Sequence, residues 1–282
     1  MLAQNKTTPF LLGYRLYVIA FFIFLAAPLI SAGAFAFNDS LFPALPWQGF
    51  TLDWFFGDTE PKLGMFHDRR LLQGLYYSFV IANFVAALSV FVGTTNAFLF
   101  VRGEFPGKNF FYILMVVPLV IPGVILGISI LVLASDTANY VENRYDLELE
   151  FLRPGLLLVV LGQFSFIATI TSLVITARLK KFDDTMEEAA FNLGASRARV
   201  LRTITLPFLR PAMIAAGSVA FLVAFEYFIT TLFLVGSLAP LTISMYDRMA
   251  KVGSSPVLNA VSFFLMVGSG LLALLSIVVQ RD

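Results

Sequence analysis

Two sets of residues in this 282-residue chain have the types and spacing for specific work. The first is a lone carboxylate, Glu226, flanked by Phe225, Tyr227 and Phe228 in an otherwise apolar stretch. A charge deep in a membrane costs about 2.5–3.5 kcal/mol on insertion scales, so such a group normally faces a cavity or a partner. Aromatic rings beside it add cation–π attraction for an ammonium group. The chemistry would be attraction of a cation along a path. A hydrogen-bonded structural glutamate packed against a partner chain accounts for the residue equally well. The second set is Glu188-Ala189-Ala190 with Gly194, Ile204, Leu206 and Pro207, in a charged segment, 183–207, between two apolar runs. Its chemistry would be mechanical: two small alanines and a carboxylate on a short helix make a compact face for another protein to grip.

Local signals shape that segment. Asp184 or Thr185 suits a helix cap, and Glu187 and Glu188 follow in the first turn, where the helix dipole favours acids. Gly194 takes positive φ readily and ends the first helix. Ser196 suits the cap of a second, with Val200, Leu201 and Ile204 as its apolar stripe and Arg197, Arg199 and Arg202 on other faces. Pro207 is expected to end this second helix and Pro211 to open the next span. On composition alone, an amphipathic hairpin lying on a membrane surface fits as well.

The rest of the chain must hold these residues in lipid. Residues are 59% hydrophobic and 13% charged, and mean hydropathy is +0.85. Soluble domains carry about 25% charged residues. A spanning helix needs roughly 20 apolar residues, and six runs qualify: 14–37, 71–101, 110–134, 154–177, 212–236 and 256–279. Pro118 and Pro122, with Gly123 and Gly127, are expected to kink the third. The first run follows two positive charges but shows no clear small-x-small cleavage site, so it reads as a retained span. Backbone groups in lipid must be satisfied internally, which makes these runs helices and the chain a single all-α polytopic domain over 1–282. With the N-terminus inside, twelve Lys and Arg fall on the inner side and seven on the outer, so both termini are expected in the cytoplasm. Eleven acids on the outer loops make that face acidic. The outer loop 38–70, with Trp47 and Trp54, suits a segment at the membrane interface. Polar residues inside the spans, such as Asn83, Ser89, Thr94, Thr95, Asn96, Gln163, Ser165, Thr169 and Thr171, are expected to bond between helices rather than hold a ligand.

Several chemistries are excluded. There is no cysteine, which removes thiol catalysis, disulfides and thiolate metal sites, and His67 is the single histidine. A P-loop needs Gly, four residues, Gly-Lys and then Ser or Thr. The nearest approach, Gly103 to Asn109, has three intervening residues and ends in Asn. No nucleotide site is therefore expected in this chain.

The order Glu188-Ala189-Ala190, three residues, Gly194, nine residues, Ile204, one residue, Leu206-Pro207 resembles the EAA signature of membrane subunits of binding-protein-dependent ABC importers. The resemblance implies a type I importer (MetI-like) permease fold in a bacterial inner membrane. It makes the 183–207 segment a coupling helix seated in a cleft of a separate cytosolic ATPase dimer, with Glu188 able to pair with a basic group there. It implies a second related permease, a periplasmic substrate-binding protein and membrane lipid as further partners, and no nucleic acid. ATP and Mg would be bound by the ATPase, leaving no cofactor in this chain. "FNDSLFPALPWQGFTLDWF", "ARLKKFDDTMEEAAFNLGAS" and "ISMYDRMAKVGSSPVLNAVS" resemble the second permease of the spermidine/putrescine branch. That branch often carries an acidic pair in the fifth span, where this chain has Glu226 followed by Tyr227. That departure fits a cation site with one acid fewer and equally a different substrate; the resemblance implies a polyamine or a related small amine, while related subfamilies import iron, aminoethylphosphonate, opines and amino-acid derivatives. A secondary carrier using Glu226 as an ion site would call for inverted repeats, which are not visible.

Overall fold

The computed structural model describes residues 9–281. Lys6, counted above on the inner side, lies outside the described residues, as do the side chains of 275–281, Arg281 among them. In chain order the helices begin with α1 (Pro9–Phe35), α2 (Asp53–Phe56), α3 (Arg69–Arg102) and α4 (Lys108–Val116). Then come α5 (Gly123–Tyr145), α6 (Leu156–Leu179), α7 (Thr185–Asn192) and α8 (Arg197–Val200). A π-helical turn, Leu201–Thr205, leads into α9 (Leu206–Glu226), followed by α10 (Ile229–Leu234), α11 (Leu241–Val252) and α12 (Pro256–Arg281). Six of the described helices are long and apolar enough to cross a bilayer.

Four spans follow the expected runs, and two do not. The run 110–134 does not form one helix. It breaks after a short 3₁₀ turn, Val117–Leu119, and the spanning helix α5 starts at Gly123 and continues to Tyr145. Pro118 and Pro122 lack the amide that would continue the helical ladder, and Pro122 adopts ψ 133°, outside the helical region. The run 212–236 also divides: α9 ends at Glu226, Tyr227 is extended at ψ 103°, and α10 restarts at Ile229. At its other end α9 begins earlier than expected. Pro207 does not stop the second helix of the hairpin, and Arg197 to Glu226 is one continuous helix of 30 residues. The wide turn just before Pro207 accommodates its ring and missing donor.

Two compact units divide the chain. The first comprises residues up to Arg69 together with Arg248–Gly268. Its α1 is apolar all round and exposed along most of its length, as a lipid-facing helix must be. The outer loop is folded rather than laid along an interface. Trp54 is buried and its indole N–H donates to the Asn38 carbonyl at 2.8 Å. The buried Asn38 side chain donates to the Ala44 carbonyl and accepts from the Gln48 amide. Trp47 remains half exposed, so only one of the two tryptophans is free to act as an interface anchor. Phe37 stacks on Phe50 and meets Phe263 edge-on at 5.1 Å. Lys62 joins Asp39 and Asp53, and hydrogen bonding to Asp39 raises its ammonium pKa above the ordinary lysine value. His67 is exposed in a turn.

The second unit comprises Arg70–Asp247 and the chain from Ser269 onward. The helix α6 is its axis, apolar on all sides and the most buried of the spans. Ile81, Val85, Leu158, Val159, Ile167 and Leu234 form one core cluster. A second surrounds Ile175, Leu179 and Leu209. Of the polar residues inside the spans, Ser89 departs from expectation, its buried hydroxyl having no hydrogen-bond partner among the described residues, and the others divide into two groups. Asn96 donates to Ser172, Thr169 to the Met115 carbonyl, Thr171 to the Ser89 carbonyl and Gln163 to Thr231, all between elements at 2.7–3.1 Å. Asn83, Thr94, Thr95 and Ser165 instead bond carbonyls of their own helices. Bilayer depth explains both, because a polar group there takes whichever acceptor is within reach.

Candidate functional site

The hairpin from Thr185 to Thr205 is built from local rules. Its first helix is capped by neither Asp184 nor Thr185: the Asp183 carboxylate accepts from both the amide (3.1 Å) and the hydroxyl (2.7 Å) of Thr185. Those two bonds hold the Asp183 carboxyl below the ordinary aspartate range, with the hydroxyl contributing most. At the other end Gly194 adopts φ +82°. Its amide donates to the Phe191 carbonyl, and the Ala195 amide to the Ala190 carbonyl. That pair of bonds is the Schellman arrangement, and the positive φ suits glycine. Ser196 then caps α8, accepting from the Arg199 amide at 3.4 Å.

A depressed carboxyl pKa in the folded state contributes stability that is present above the unfolded value and lost as pH falls through the folded one. Amides at the start of α7 should therefore stay protected from hydrogen exchange near neutrality and lose protection once pH drops below the ordinary aspartate value, about 3.9. Asp183→Asn should abolish most of that pH dependence; equal acid sensitivity in both proteins would contradict the assignment.

The signature residues do not all face outward: Ile204 packs against the core cluster around Ile175, Leu179 and Leu209. Glu188 and Ala189 are exposed and Ala190 is half-buried. Beside them stand Met186, Phe191 and Leu193, the last 89% exposed. Ile204 and Leu206 are half-buried, and Pro207 is exposed on the continuous helix. Glu187 points the other way. One of its carboxylate oxygens accepts from Arg102 at 2.9 Å and the other from the Thr205 hydroxyl, and its side chain is only 14% exposed. This inward glutamate was visible in the sequence only as a first-turn acid. Its partner at the end of α3 lies 85 residues away.

Glu226 occupies a place that the sequence did not foretell. It is the last residue of α9, where the span breaks, and it is exposed, with no hydrogen-bond or ion-pair partner among the described residues. Phe225 and Tyr227 beside it are half-buried. The Tyr227 ring stacks on Phe166 at 5.5 Å, its hydroxyl lies against Gly123, and its carbonyl accepts from Thr231 at 2.5 Å. Phe228 packs on Tyr246. Phe166 lies ten residues into α6, roughly 15 Å along it at 1.5 Å per residue. The contact with Gly123 brings the break that precedes α5 beside the break that follows α9. Two helix breaks meeting within the spans, with a carboxylate at one helix end, is an arrangement that transport proteins use for solutes and ions.

Comparison with known proteins adds to this geometry. A family model described as "Binding-protein-dependent transport system inner membrane component" matches residues 87–281. The chain is 31% identical over 267 residues to the spermidine/putrescine transport system permease protein PotC of Escherichia coli (strain K12), covering 94% of this chain and 93% of that protein. It is 28% identical over 256 residues to the putrescine transport system permease protein PotI of the same strain, covering 90% and 86%. Among solved structures it matches a chain of a bacterial ABC transporter involved in the import of the acidic polysaccharide alginate, with TM-score 0.75, 19% identity, and coverage of 96% and 95%. That last likeness concerns the fold alone.

Proposed function

The chain belongs to the family of binding-protein-dependent transport system inner membrane components, and from that premise we propose that it carries a polyamine, spermidine or putrescine, or a closely related small amine. It is a multi-pass inner-membrane permease subunit of an ABC importer. The observation that carries the solute reading is Glu226, an unpaired carboxylate at a helix break in the fifth span. Sequence identity to polyamine permeases over nearly the whole chain supports it. In this reading the path forms between this chain and a second related permease, and a periplasmic binding protein delivers the solute. Both termini lie in the cytoplasm, which puts the hairpin there as well. A cytosolic ATPase dimer binds ATP and Mg and grips the surface of Glu188, Ala189 and Ala190. ATP-driven closure then pulls on the hairpin.

The test is ATP hydrolysis by the reconstituted complex, co-expressed with its neighbouring subunits. Binding protein loaded with spermidine or putrescine should stimulate hydrolysis, and unloaded binding protein should not. Stimulation by an opine, an aminoethylphosphonate or iron in place of the polyamines would keep the importer and replace the solute.

A further inference from the structure

We propose that Glu187 is a positioning residue that ties the hairpin to a second span, so that motion of the hairpin reaches α3 as well as α9. The inference rests on the hairpin being the part on which the ATPase acts.

The geometry has three parts. The Glu187 carboxylate is shared between Arg102, in the last turn of α3, and Thr205, the final residue of the π turn. Arg102 is itself confined: its guanidinium lies 5.4 Å from the ring centroids of both Phe98 and Phe182, and it reaches Asp184 at 3.6 Å. Phe182 in turn meets Phe208 edge-on at 5.1 Å. One carboxylate therefore links the first helix of the hairpin, the inner end of α3 and the start of the fifth span. Exposed ion pairs contribute little. This one differs because the acid is largely buried and the arginine is held between two rings, which lowers the freedom lost on pairing. The neighbouring acid, Glu188, points outward and is free for a partner. Two adjacent glutamates thus take opposite roles, one facing another chain and one facing this chain's own spans.

Without the pair, the hairpin remains continuous with α9 through α8 and the π turn. It keeps its docking face and its link to the fifth span but loses the buried ionic link to α3; with Glu187→Gln only the 3.6 Å contact of Arg102 with the exposed Asp184 is left. The expected result is an assembled complex that hydrolyses ATP with poor yield of transport. Glu187→Gln and Arg102→Met should each lower solute taken up per ATP hydrolysed about tenfold, the change expected from one charge-assisted hydrogen bond. Co-purification with the ATPase should be retained. The exchange Glu187→Arg with Arg102→Glu should recover much of the ratio, which a purely structural role would not predict. An unchanged ratio in both single variants would overturn the proposal. So would loss of ATPase capture by Glu187→Gln, which would make Glu187 a docking residue instead.

A second measurement does not depend on transport. The chain has no cysteine, so a spin-label pair at Glu104→Cys and Leu193→Cys is clean. Its distance distribution should be narrow with Glu187 present and broad with Glu187→Gln. Equal widths would refute the tie. A wild-type complex that fails to capture an ATPase, with the narrow distribution intact, would overturn the importer coupling and leave the tie standing.

Discussion

Glu226→Gln should lower uptake of putrescine or spermidine about tenfold, while the amount of assembled complex stays as in the wild type. A charge-assisted contact to an ammonium group contributes about 1.5–3 kcal/mol more than no contact, and each 1.4 kcal/mol is a factor of ten. Gln keeps the size and one acceptor but removes the charge. Assembly should survive because the Glu226 side chain has no partner among the described residues that the change would orphan. Glu226→Asp should lose less than Gln, since it keeps the charge and only shortens its reach. Uptake assays in vesicles, with complex quantified by co-purification, distinguish the two effects. Uptake unchanged by Gln would make Glu226 a packing residue. Loss of complex would make it an interface residue.

Gly93→Leu should prevent accumulation of folded protein. Gly93 is where α3 crosses α6. A Cβ built on it would sit 2.7 Å from the Thr171 hydroxyl oxygen and 3.0 Å from the Ser172 backbone nitrogen. Backbone cannot move aside as a side-chain tip can. Two hydrogen bonds at the crossing, Thr171 to the Ser89 carbonyl and Asn96 to Ser172, would be pushed apart along with it. Overpacking of a filled core costs about 1–3 kcal/mol, and loss of buried hydrogen bonds adds to that. Such a sum is a large part of the margin of a typical folded domain, about 5–15 kcal/mol. Gly93→Ala should be milder, and size-exclusion profiles of detergent-solubilised protein would rank the two. A monodisperse peak from the Leu variant at wild-type yield would show that the helices can separate without penalty.

The parts legible in the sequence are those whose causes are local. Four spans could be read because hydropathy over roughly 20 residues is a property of the run itself. The hairpin could be read because Gly194 and Ser196 act on their own neighbours. What was missed depends on distant residues. No proline or glycine marks the break at Tyr227 and Phe228; it is held by Thr231, by the stack on Phe166 and by contact with Gly123. The end of α5 was missed because its last turns carry Asp136, Glu142 and Arg144 and so fall below a hydropathy threshold while staying helical. Pro207 read as a helix stop because its rule assumes regular α geometry, which the π turn relaxes. The sequence pointed to Asp184 or Thr185 as the cap, and the fold uses the Asp183 carboxylate instead.

The uninterrupted helix from Arg197 to Glu226 makes one machine part of two regions that look unrelated in the sequence. At 1.5 Å per residue its 30 residues form a rod roughly 45 Å long. One end emerges from the hairpin and the other stops at the carboxylate. If the rod moves as a unit, a tilt or twist imposed at its hairpin end would be carried past the π turn and Pro211 towards Glu226. The extended residue Tyr227 interrupts the helix, and beyond it α10 packs against α5 and α6, so α10 need not follow the rod. In the proposed importer the carboxylate would be the moving jaw and the aromatic seam behind it the fixed one.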